Sequence, residues 1–137
     1  MSAWQPPDLE LHLTGWLRAR LPQARVGNKT PGDLTTPLEK PLVTISEASG
    51  SKSSAVTFRR SLTVMVRAGT RTNDKPSSDL ARRVFALLTS QDVVDEPGSP
   101  IAAVVDDSCF GPYPVADDLD VSARMMTVEY SVVGEPV

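Results

Sequence analysis

The chain has 137 residues, with 14 Lys/Arg against 17 Asp/Glu, a net charge of −3 and a pI near 5.1. With 40% hydrophobic and 23% charged residues the composition is globular, and the length predicts one domain spanning residues 1–137 that buries about two-thirds of its unfolded surface. A lone Cys109 excludes an internal disulfide, and there is neither an apolar run of membrane-spanning length nor a basic-then-apolar leader, so the protein is expected in the cytosol without membrane contact.

Pro6 and Pro7 suit the first turn of a helix, and Leu9, Leu13, Trp16, Leu17 and Leu21 recur at helical spacing, which predicts a helix over 7–21 ended by Pro22. Four prolines and two glycines between 22 and 41 predict a long irregular connection with at most a short strand near 25–28. A strand over 42–48 and a second over 56–68 follow. The second places Val56, Phe58, Leu62, Val64, Val66 and Ala68 on one face, interrupted by Arg60. Between them Ser49, Gly50, Ser51, Lys52, Ser53 and Ser54 read as a mobile hairpin tip, so the two strands should pair antiparallel.

Asn73 or Asp74 is placed to cap a second helix with Pro76 in its first turn and Leu80, Ala81, Val84, Phe85, Leu87 and Leu88 on one face. A Pro/Gly turn then leads to a short buried strand over 101–105, an acidic loop over 106–120, and a closing strand over 121–133. That strand puts Met126, Val128, Tyr130 and Val132 on one side. The predicted fold is α+β: one mostly antiparallel sheet packed on two helices, in the order helix-strand-strand-helix-strand-strand. A 13-residue strand spans about 43 Å, against a radius of gyration of roughly 14 Å for a chain of this length. The long strands and a projecting hairpin are therefore expected to reach across the body or onto a neighbour.

Charge is unevenly divided. Residues 1–75 carry 11 basic and 6 acidic side chains, residues 76–137 carry 3 and 11, and 92–120 holds eight carboxylates and no Lys or Arg. Such a dipolar sequence suits head-to-tail association of identical subunits.

Signals for chemistry are weak. His12, the one imidazole, lies off the helical apolar stripe with no nucleophile motif beside it. Cys109 has no neighbouring cation to activate it. The segments at Gly27 and at Gly50 lack the glycine spacing of a phosphate-binding loop. Asp106, Asp107, Asp117, Asp118 and Asp120 are hard oxygen donors without a calcium-loop pattern, so an acidic surface is the expectation and no metal or other cofactor is called for. Net negative charge and seven aromatic residues argue against sequence-specific nucleic-acid binding.

Together, the helix 9–21, the irregular 26–41 segment, the strand opening Pro41-Leu42-Val43-Thr44-Ile45, the hairpin at Gly50, the long strand 56–68, the helix opening with Leu80-Ala81 and the closing Arg124-Met125-Met126-Thr127-Val128-Glu129 resemble the tail terminator proteins of bacteriophages with long, non-contractile tails. The resemblance implies a non-enzymatic virion tail component: a hexameric ring that stops tail-tube growth and joins a head-side connector protein, with DNA a non-specific passenger through its lumen. On that reading Ser49, Gly50, Ser51, Lys52, Ser53 and Ser54, with Arg59, Arg60, Arg67 and Arg71, are candidate contacts to a second copy or the tail-tube protein, and Asp106, Asp107, Asp117, Asp118 and Asp120 a lumenal or interface surface. A head-completion or connector protein is the nearest alternative, and a small ligand-binding domain or enzyme the next.

Overall fold

A computed structural model describes residues 3–137. Trp4–Gln5 (β1) precedes helix Leu9–Arg20 (α1), whose N-cap Asp8 accepts a hydrogen bond from the Leu11 amide at 3.1 Å. After Arg25–Gly27 (β2) and an irregular segment come Leu42–Lys52 (β3), Thr57–Ala68 (β4) and helix Lys75–Leu88 (α2), with proline in its first turn. The short helix Gln91–Asp95 (α3), strand Ile101–Val104 (β5), a 3-10 turn at Asp106–Ser108 and strand Phe110–Val115 (β6) follow. The long strand Ser122–Val133 (β7) and Glu135–Pro136 (β8) complete the order. The molecule is thus α+β with a mostly antiparallel sheet, as expected.

The main sheet runs β2-β3-β4-β7-β5, with β6 pairing the earlier half of β7 on the same side as β5, and β1 and β8 form a separate two-stranded ladder. β4 pairs with β7 from Thr57↔Val133 to Ala68↔Ser122 without a register break. Even-numbered residues of both strands therefore share one face, and its buried members include Leu62, Val64 and Val66 on β4, and Met126, Val128, Tyr130 and Val132 on β7. Leu9, Leu13 and Leu17 of α1 and Ala81, Val84 and Leu88 of α2 close over them in one apolar cluster. Tyr130 is fully buried, and its hydroxyl donates to the Leu88 carbonyl at 2.6 Å, satisfying an orphan acceptor at the end of α2. Arg20 stacks on Trp16 at 3.8 Å and reaches Glu96 at 3.2 Å, tying α1 to the residue after α3.

The expected six-element order needs correction in four places. β3 continues to Lys52, so Ser49, Gly50, Ser51 and Lys52 pair with Ser61, Arg60, Arg59 and Phe58, and only 53–56 form the turn. Because β7 runs beside β4 to Thr57, the hairpin does not stand clear of the sheet. The 106–120 segment is no loop: it contains the 3-10 turn and β6. The strand over 101–105 is buried only at Ile101, with Ala102 and Ala103 exposed.

Two substitutions probe the core. Leu62→Ala should lower the unfolding free energy by about 2–5 kcal/mol through the cavity it leaves. Tyr130→Phe should cost about 1–3 kcal/mol by stranding the Leu88 carbonyl. Urea denaturation checks both.

Candidate functional site

The helices cover one face of the sheet, and the odd-numbered residues of β4 and β7 make the other. The register stacks this outer face in rows. Leu42, Arg67, Ala123 and Val115 form one row, Thr44, Met65, Met125 and Tyr113 the next, and Ser46, Thr63, Thr127 and Phe110 the third. Beyond them lie Ser49, Ser61 and Glu129, then Ser51, Arg59, Ser131 and Ala103. The first row is roofed. Arg67 Nε donates to Asp117 at 2.6 Å, its guanidinium meets the Thr30 hydroxyl at 3.4 Å, and Leu42 is 2% exposed, lining a pocket with Leu34 and Leu38. The second and third rows have no such roof. There Phe110 is 59% and Tyr113 42% exposed, beside half-buried Met65 and Met125.

β6 brings its aromatics to this face by a local device. Gly111 has φ +102, and a Cβ there would lie 2.8 Å from the Met125 carbonyl oxygen, so only glycine fits the bulge that carries the strand from Phe110↔Thr127 to Tyr113↔Met125. Pro112 and Pro114 remove two amide donors at alternate positions, which keeps the side of β6 away from β7 from taking another strand. At the opposite edge β2 covers only Leu42, Val43 and Thr44 of β3, and the Glu47 amide donates to the Glu10 carboxylate at 2.8 Å.

The arginines expected to meet a neighbouring copy also make contacts within the chain. Arg59 pairs with Glu129 at 2.6 Å, and Arg60 pairs with Glu47 across the hairpin. Arg71 donates to the carbonyls of Asp117 and Asp118 at 3.0 and 2.7 Å, and its amide to the Asp120 carboxylate at 3.1 Å. Much of the charge split along the sequence is spent stitching the two halves together. Asp106 and Asp107 stay exposed on the 3-10 turn and make no ion pair among the described residues, so the five candidate acids divide into two groups. Among the described residues no three His, Cys, Asp or Glu side chains converge as metal ligands.

His12 is half-buried; burial lowers its pKa, and Glu96 opposes the shift. Burial raises the pKa of the Cys109 thiol, which donates to the Val105 carbonyl at 3.4 Å and packs against the core. Phe110 and Tyr113 were the side chains that sequence reasoning missed as a surface. The available signal was proline at two alternate positions, a pattern compatible with an edge strand.

Burial pushes the Asp117 carboxyl up, but hydrogen bonds from Arg67 and the Leu119 amide, with the charges of Arg67 and Arg71, hold it below the ordinary aspartate value of 3.8. A depressed folded-state pKa contributes stability that is complete above the unfolded value and is lost as pH falls through the folded one. Asp117→Asn should therefore be less stable than the parent by about 1–3 kcal/mol at pH 7. The difference should shrink below about pH 4, as followed by urea unfolding at a series of pH values. The chain matches no protein-family model, and no curated protein matches it in sequence.

Proposed function

We propose that the protein is a structural subunit of a long-tailed bacteriophage virion that assembles into a ring in contact with the tail tube, and acts as the tail terminator that its sequence resembles. The observation that carries this reading is the unroofed outer face of the sheet. A two-layer subunit leaves Phe110, Tyr113, Met65 and Met125 together on a side where a third layer would sit. Aromatic residues and methionine are the side chains enriched where proteins meet. In a terminator this face would meet the next subunit or the tail-tube protein, the finished ring would bind the head-side connector protein, and DNA would pass through without base contacts. The strands β3, β4 and β7, of 11, 12 and 12 residues, supply a continuous surface about 40 Å long for such contacts.

Sedimentation velocity, native mass spectrometry and particle imaging test the assembly. A discrete closed ring, six-membered by the resemblance, is expected, and a monomer at every concentration without binding to tail tubes overturns the reading. Loss of the protein should leave tails of uncontrolled length; normal tails left unattached would assign it to the head-side connector instead. The variant Phe110→Ser/Tyr113→Ser should change the unfolding free energy by only about 0.5 kcal/mol, because both side chains are exposed, yet weaken self-association or tube binding.

A further inference from the structure

The two edges of the main sheet differ in charge as well as position. At the β2 edge a cleft of about 360 Å³ is lined by Arg18, Arg25 and Lys40, with Leu21 and Val26 among its apolar walls and no carboxylate. Arg18 donates to the Val26 carbonyl at 2.8 Å, which fixes one cation at the rim and occupies an acceptor of β2. Arg25 and Lys40 are exposed and make no ion pair among the described residues. At the other edge, beyond β7, the 3-10 turn between β5 and β6 exposes Asp106 and Asp107, followed three residues later by Phe110. Four strand spacings, about 19 Å, separate the outermost strands.

We infer that the Arg18/Arg25/Lys40 cleft of one subunit receives the Asp106–Asp107 turn of a second copy of this chain. This rests on the ring reading above and deepens it by naming the contact. Three observations choose that occupant. The two sites carry opposite charge, and among the described residues Arg25, Lys40, Asp106 and Asp107 make no ion pair, with Asp33 and Glu39 lining the adjoining pocket beside Arg25 and Lys40. The sites lie on opposite edges, so joining them is a head-to-tail contact, the kind that repeats around a ring. At the strands that flank the two sites simple strand addition is also disfavoured, by Pro112 and Pro114 on β6 and by the Arg18 bond to the Val26 carbonyl on β2. The contact is accordingly made by side chains and not by a continuous backbone ladder. An aspartate pair entering a cleft that holds three cations is a charge-assisted contact with partial shielding from water.

The test uses two charge-reversed full-length variants, Arg25→Glu/Lys40→Glu and Asp106→Lys/Asp107→Lys. All four residues are exposed, and circular dichroism melts confirm that each variant folds. Arg18 is left intact because it also holds β2. Each variant alone should self-associate ~100-fold more weakly than the parent, since like charges then face one another. An equimolar mixture should recover assembly, because one variant presents two acidic edges and the other two basic ones. If the parent forms its oligomer and both variants match it, the contact is overturned while the ring reading stands. A parent that is monomeric at every concentration overturns the ring reading itself. Failure of the mixture to recover also overturns the contact. So does loss of duplex DNA binding by Arg25→Glu/Lys40→Glu with assembly intact, which would give the cleft to phosphate.

Discussion

The unbroken pairing of β4 with β7 is the constraint on which the rest of the molecule depends. Twelve consecutive residue pairs run from Thr57↔Val133 to Ala68↔Ser122, and side-chain alternation then assigns even positions to the helix-covered face and odd positions to the outer face. A shift of one residue would carry Leu62, Val64, Val128 and Tyr130 outward and bring Arg59, Glu129 and Arg67 against the helices. The cost of burying those charges without partners makes such a slip prohibitive. β3 on one side and β5 with β6 on the other take their own register from this central ladder.

The same ladder explains what was legible in the amino-acid pattern. Helix α1 and helix α2 announce themselves through apolar residues at helical spacing, and β4 and β7 through long alternation, because each has one face in the core. β6 was hidden. Its alternation is broken by Gly111, Pro112 and Pro114, residues that ordinarily signal a turn, and its register depends on a bulge against Met125 that only the partner strand defines. Helix α3, at five residues, and the β1–β8 ladder, at two residue pairs, are too short to carry a period. The extension of β3 through Ser49–Lys52 was equally hidden, since small polar residues have weak strand preference and are held there by pairing with β4.

Charge shows the limit of one-dimensional reading most clearly. The excess of arginine in the first half and of carboxylate in the second describes a dipole only while the chain is extended. On folding, Arg20 meets Glu96, Arg59 meets Glu129, and Arg67 and Arg71 hold the 117–120 segment. These pairs differ in worth: Arg67 and Asp117 are 12% and 9% exposed as side chains, whereas Arg59 is 46% exposed and its ion pair sits in water. What remains for other molecules is the smaller set of charges left at the sheet edges and the aromatic patch between them.

The register also dictates an order of events during synthesis. The β3–β4 hairpin joins near neighbours, closing at Lys52↔Phe58, but β4 meets β7 at sequence separations of 54 to 76. Such distant pairings are slow to form because the loop entropy is lost before the contacts are gained. Until residues 122–133 leave the ribosome, the inner strand of the finished sheet is an open edge, flanked by apolar residues that have no cover. The β7 segment thus acts as the seal on a nascent chain, and β4 keeps an unpaired edge until β7 reaches it.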